Sequence, residues 1–113
     1  LEIYEWQRPS DIEDNGIIRP ADFVLYQNYP NPFNPATTIS FSVPRSSYVT
    51  LTVYNVLGRR VKTLLEGPLH PGEYRVRWNG KDSDGNDVAS GVYFYRVKTP
   101  DYVSEAKAMV LLR

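Results

Sequence analysis

The sequence predicts an all-β domain, an antiparallel β-sandwich of about seven strands, and three observations carry the prediction. Apolar and polar residues alternate in successive short runs from residue 37 onward, the period of a half-buried strand. Seven Gly and nine Pro punctuate the chain, so that the runs recur at roughly 8–12-residue spacing. No stretch sustains the 3.6-residue period of an amphipathic helix. A chain of 113 residues suffices for one such domain and, at that size, buries roughly two-thirds of its unfolded surface without disulfides or metal.

In order, Ile39, Phe41 and Val43 alternate with Thr38, Ser40 and Ser42 until Pro44 stops the run. Val49, Leu51 and Val53 alternate with Thr50, Thr52 and Tyr54, a β-rich second face. Asn55-Val56-Leu57-Gly58 reads as a turn, with Gly58 suited to positive φ. Val61 to Leu65 is a shorter strand closed by Gly67-Pro68. Tyr74, Val76 and Trp78 form an apolar face opposite the cationic Arg75 and Arg77. The strand from Val92 to Lys98 sets Tyr93, Tyr95 and Val97 against Phe94, and a last strand runs from about Ala106 to Leu112. Phe41, Leu51, Val53, Val61, Leu64, Tyr74, Val76, Trp78, Val92, Phe94 and Met109 are the expected core.

Residues 1–21 differ in character. Glu2, Glu5, Asp11, Glu13 and Asp14 make them acidic, and Pro9-Ser10-Asp11 and Asp14-Asn15-Gly16 are loop signals. They read as a linker with the remnant of an upstream domain, Leu1 to Trp6 being either that domain's final strand or a tether. The folded domain is expected over 22–113. Because the chain begins at Leu1 and not at Met, it reads as a piece of a longer protein.

Composition narrows the chemistry. Thirteen Lys and Arg balance thirteen Asp and Glu, leaving no field to draw in nucleic acid or an anionic membrane surface, and no apolar run approaches the ~20 residues of a membrane-spanning helix. With no Cys, thiol catalysis and thiolate zinc sites are excluded. The one His, His70, lies in the turn-like Gly67-Pro68-Leu69-His70-Pro71-Gly72, where an exposed histidine is the expected reading and a catalytic triad is not. No catalytic residue, cofactor or enzymatic activity is therefore expected.

Two constellations invite a ligand. Asp82, Asp84 and Asp87 resemble the start of a calcium loop, but the twelfth place counted from Asp82 holds Tyr93 where an EF-hand needs glutamate. That excludes an EF-hand; a simpler oxygen site remains, set against an Asx-rich turn that the same residues favour. Nine Tyr raise a carbohydrate-binding or adhesion module as the alternative function, with Tyr93 and Tyr95 on one strand face and Tyr48, Tyr54 and Tyr102 as neighbours. Core and sheet packing accounts for the same residues.

The most unusual segment is Gln27-Asn28-Tyr29-Pro30-Asn31-Pro32-Phe33-Asn34-Pro35. Three prolines in six positions forbid a helix and push their predecessors toward extended geometry, so a rigid lead-in pinned by Tyr29 and Phe33 is expected. With Val53-Tyr54-Asn55-Val56-Leu57-Gly58, Gly72-Glu73-Tyr74, Trp78-Asn79-Gly80, Asp84-Gly85, Ser90-Gly91-Val92-Tyr93-Phe94-Tyr95 and the terminal Lys107 and Val110-Leu111-Leu112-Arg113, this segment gives the chain a family likeness. Over about residues 22 to 113 it resembles the type A C-terminal sorting domain of the type IX secretion system of Bacteroidetes. It is similar, more distantly, to the Ig-like domain of flagellar hook-capping proteins.

The resemblance implies an Ig-like sandwich at the end of a larger cargo protein in the same chain, acting as a secretion signal. The cargo would reach the periplasm by its own leader, cross the outer membrane through the type IX translocon and be secreted or attached at the cell surface. The domain would be removed by a sortase-like peptidase, in the segment before Tyr26. Recognition would fall to Lys107, Val110, Leu111, Leu112 and Arg113, Arg113 standing where the family often ends in Lys. Asn28, Pro30, Asn31, Pro32, Phe33, Asn34, Pro35, Gly58, Gly72, Trp78 and Gly91 would be architectural. A terminal strand with a free edge suggests recognition by β-augmentation, whereas burial of Met109 to Leu112 would make the same strand a core element.

Overall fold

Alternation alone places six strands, and in the computed structural model all six form, as β3 (Thr37–Val43), β4 (Ser47–Tyr54), β5 (Arg60–Leu69), β6 (Gly72–Trp78), β7 (Gly91–Thr99) and β9 (Lys107–Leu111). Shorter pieces complete them: β1 (Ile3–Trp6), β2 (Val24–Leu25) and β8 (Tyr102–Val103). The structure describes residues 22–113, together with the backbone of residues 3–6. The linker expected over 1–21 lies outside the described residues but for β1, which runs antiparallel to β6 from Ile3 opposite Val76 to Trp6 opposite Glu73.

The strands form two antiparallel sheets, consistent with an Ig-like β-sandwich. One has the order β1-β6-β3-β2; the other has the order β5-β4-β7-β8, with β9 also pairing with β7 beside β8. Between them lie Ile39, Phe41, Val43, Val49, Leu51, Val53, Val76, Trp78, Tyr95, Met109 and Leu111, all buried. The Trp78 ring meets Phe33 at 5.7 Å and Tyr93 edge-on at 5.4 Å, and its indole N–H donates to the Lys81 carbonyl at 2.9 Å. The lead-in and the β6–β7 loop thus converge on one aromatic cluster.

Three expectations need correction. On β7 the buried face is Tyr93, Tyr95 and Val97, whereas Val92 is 39% exposed and Phe94 half-buried. The tyrosines bury their rings without stranding a hydroxyl: Tyr93 donates to Ala89 O and Tyr95 to Tyr26 O, each at 2.7 Å. Second, β5 does not stop at Gly67-Pro68 but continues to Leu69 opposite Ser47. It is an edge strand, where a residue without an N–H costs the sheet nothing. Register irregularities in the β4–β5 pairing, between Leu51 and Thr52, let the consecutive residues Leu64 and Leu65 both turn inward. Third, of the two rings expected to pin the lead-in only Phe33 is buried; Tyr29 is 81% exposed and is held through its backbone, which bridges Thr38.

Candidate functional site

β9 has β7 on one side, with Leu111 opposite Gly91 and Lys107 opposite Tyr95. In an antiparallel ladder alternate residues turn their amide and carbonyl groups away from the partner, and on β9 and just past its end these belong to Ala108, Val110 and Leu112. The edge they form is covered. Gln27 Nε2 donates to Ala108 O at 2.7 Å, Val110 N–H to Asn31 Oδ1 at 3.0 Å, Phe33 N–H to Val110 O at 2.9 Å and Leu112 N–H to Phe33 O at 2.9 Å. The Asn-Pro segment is therefore a strap along β9, and a partner strand must displace it before it can pair there. Its path runs through bends at 30–32 and 34–35, with cis peptide bonds before Pro30, Pro32 and Pro35, and is not the extended run expected.

The strap is itself fastened inside. Asn28 is buried, and its N–H donates to the Tyr95 hydroxyl at 2.7 Å. Its Nδ2 donates to Pro30 O at 3.1 Å and to Thr37 Oγ1 at 2.9 Å, and the Thr37 hydroxyl in turn donates to Pro30 O at 2.8 Å. Burial pushes the Tyr95 hydroxyl pKa up to about 12, against which the Asn28 N–H acts in the opposite sense.

Of the residues assigned to recognition, Leu111 lies in the core and Arg113 is docked, while Val110 is half-buried and Leu112 is 52% exposed. Lys107 is half-buried at the start of β9 and has no ion pair among the described residues. Arg113 N–H donates to Ser90 Oγ at 2.8 Å, and its guanidinium donates to the carbonyls of Val88 (2.6 Å) and Gly80 and lies 3.5 Å from the Asp87 carboxylate. Gly80 makes room for it. With φ +73°, a Cβ there would sit 2.8 Å from the guanidinium and 3.0 Å from Pro35 O. Lys81, bonded to Asp87 at 2.8 Å, and Arg113 hold the Asp87 carboxyl below the usual carboxylate range. Alternation sets Val110 and Leu112 on the outer face, where Val110 stands opposite Val92.

The acidic turn closes on its own backbone. Asp82 Oδ1 accepts from the N–H groups of Asp84 and Asn86, both at 3.0 Å, and Asp87 faces Lys81 and Arg113. Among the described residues no group of three His, Asp or Glu converges on one point. Asn55 closes its turn the same way, Oδ1 accepting from Leu57 and Arg59 at 3.0 Å with Gly58 at φ +78°. Gly72 and Gly91 are the first residues of β6 and β7, and His70 is exposed. Of the segment expected to be cleaved before Tyr26, residues 7–21 lie outside the described residues.

The tyrosines divide. Tyr93 and Tyr95 are buried and offer no sugar platform, and the half-buried Tyr102 lays one ring face on Phe23 at 4.8 Å. Tyr48 and Tyr54 remain on the outer face of β4, flanking Thr50 and Thr52 and facing Arg96 and Lys98 of β7 across a shallow groove of about 360 Å³. Arg96 was not picked out from the sequence, although the alternation of β7 carried its signal; Gln27 stands in the unusual segment, but nothing local marked its bond to Ala108.

The model of the family described as the FlgD Ig-like domain matches residues 31–101. No curated protein matches the chain. Among solved structures it is similar to dimeric latent PorU from Porphyromonas gingivalis, with 22% identity over 80% of this chain and a TM-score of 0.66. It is also similar to PorZ of the same organism, described as an essential bacterial surface component of the type-IX secretion system, with 28% identity over 79% of this chain and a TM-score of 0.52. The chain spans only 9% and 11% of the length of those two proteins. A third likeness is to FlgD from P. aeruginosa, with 24% identity over 71% of this chain and 67% of that one and a TM-score of 0.52.

Proposed function

The chain belongs to the FlgD Ig-like domain family, and from that premise we propose that it is a type A C-terminal sorting domain of the type IX secretion system. It acts without catalysis of its own, as the signal by which a cargo domain in the same chain crosses the outer membrane. Its partners are the translocon and a sortase-like peptidase, and its destination is the cell surface or the medium. The observation that supports the reading most is the 28% identity, over 79% of the chain, with part of a surface component of that system.

The geometry refines how such a signal is read. Leu111 and Arg113 hold the fold together, so a partner that leaves the fold intact meets the outward side chains of β9, Val110 and Leu112. Truncating the whole tail would confound unfolding with loss of recognition. The test fuses residues 1–113 to the end of a periplasmic reporter in a bacterium with a working type IX system and compares Leu112→Ser with Leu111→Ala. Export lost in Leu112→Ser, with an unchanged circular dichroism melt, supports recognition at the outward face of β9. Export lost only when Leu111→Ala unfolds the domain removes that face from the mechanism. A parent fusion that stays in the periplasm overturns the sorting function itself.

A further inference from the structure

The groove on the outer face of the five-stranded sheet has the make-up of a ligand site. Thr50 and Thr52 form its floor, opposite Lys98 and Arg96 in the β4–β7 register, and Tyr48 and Tyr54 close its ends. Those rings are six residues apart on one strand, about 20 Å at ~3.3 Å per residue. Tyr48 is 49% exposed, and its hydroxyl is fixed by donating to Glu66 Oε2 at 3.1 Å. Arg96 lies over the Tyr54 ring at 5.7 Å, which holds the guanidinium against the sheet.

Arg96 Nε is buried and has no hydrogen-bond partner among the described residues. A buried donor left unmade costs about 1–3 kcal/mol unless a ligand or water meets it. Neither Arg96 nor Lys98 forms an ion pair among the described residues. Two cations on one strand face, with threonine hydroxyls beside them on the next strand, call for an anion with polar groups spaced along it. The site lies on a sheet face, away from any edge, so it offers an extended peptide no backbone ladder to join. What it offers is ring surface, hydroxyls and a guanidinium suited to a carboxylate or phosphate.

We propose that this groove binds a short stretch of an acidic polysaccharide, its carboxylate or sugar phosphate seated on Arg96 and Lys98 and a sugar ring lying on Tyr48. The inference stands apart from the sorting function and does not depend on it.

The experiment titrates the 113-residue chain with tetragalacturonate, with the uncharged maltotetraose and with a tetraglutamate peptide, by calorimetry and by amide shifts of β4 and β7. A mannose-6-phosphate arm distinguishes a phosphate from a carboxylate as the seated group. Saturable binding of an acidic sugar, absent for maltotetraose and at least about tenfold weaker for tetraglutamate, is the expected result. Arg96→Gln weakens it roughly tenfold or more, as loss of a charged hydrogen bond should. The exposed Lys98→Gln, which leaves the fold untouched, and Tyr48→Ala weaken it by smaller factors of about three to five. Equal binding of tetraglutamate overturns the proposal in favour of a surface that reads charge alone. Absence of saturation by either acidic sugar up to about 10 mM, or affinity unmoved in Lys98→Gln and Tyr48→Ala, overturns it as well.

Discussion

The two edges of the five-stranded sheet are guarded by different means. β5 is joined to β4 by a tight turn at Asn55, and its outer edge is blunted by Pro68, which has no N–H to offer, and by the irregular β4–β5 pairing. β9 has no hairpin partner. It lies on β7 from the far end of a loop, and its outer edge is sealed by groups 79 and 81 residues away in sequence, Asn31 and Gln27. One edge carries its protection within the strand; the other borrows it from the opposite end of the domain. The terminal strand is therefore the element whose order depends on the most distant contacts, and the strap is where that dependence can be cut.

The largest break comes at Phe33, which contributes both backbone bonds to β9 and a ring buried against Trp78. Phe33→Ala is expected to cost about 3–5 kcal/mol, read as a lowered midpoint in urea. Amide exchange at Val110 and Leu112 should accelerate more than exchange in β5. Equal acceleration in both edges would mean that the strap supports the sandwich as a whole and not β9 in particular.

A smaller effect follows at Tyr95, which is buried and ties Asn28 of the strap to Tyr26. Tyr95→Phe strands the Asn28 N–H, a loss of about 1–3 kcal/mol at neutral pH. The same hydroxyl makes stability depend on alkali. Its folded pKa of about 12 lies above the unfolded value near 10, so the fold holds this proton more tightly. The contribution is fully present below pH 10 and is lost as pH rises from 10 through about 12. Denaturation midpoints should fall more steeply over that window in the parent than in Tyr95→Phe; parallel curves would show that Tyr95 does not govern the alkaline limb.

Much of this molecule was legible in its sequence, and the illegible part has a physical pattern. Strand positions followed from alternation in β3, β4 and β6, because a half-buried strand must alternate whatever it pairs with. The inward face of β7 was misjudged because both faces carry aromatic residues, and what decides between them is whether a Tyr hydroxyl finds a carbonyl at the rim. Leu65 escaped notice because a bulge sets aside the period of two, and the end of β5 because a proline is excluded from central strands but not from edges. The strap could be recognised as unusual from its three prolines. That it lies on β9 could not, since sequence shows which groups a segment lacks and not which distant groups it will satisfy. The docking of Arg113 was hidden for the same reason, all its partners lying 23 to 33 residues upstream.

The finest test compares single hydrogen-bonding groups at the two edges. Asn31→Ala removes the acceptor of Val110 N–H while leaving that amide near solvent, so water replaces the lost oxygen in part. The expected cost is about 0.5–1.5 kcal/mol, together with faster exchange at Val110 and little change in β5. Pro68→Ser at the other edge restores an N–H that faces outward and should change stability by less than about 0.5 kcal/mol. Its consequence should appear instead in association, because an edge that regains a donor becomes a better template for a second strand. If Pro68→Ser remains monomeric at millimolar concentration while Asn31→Ala associates, the β5 edge has further protection beyond its proline, and the strap is the more important guard of the two. If both associate, each edge depends on the single group identified for it.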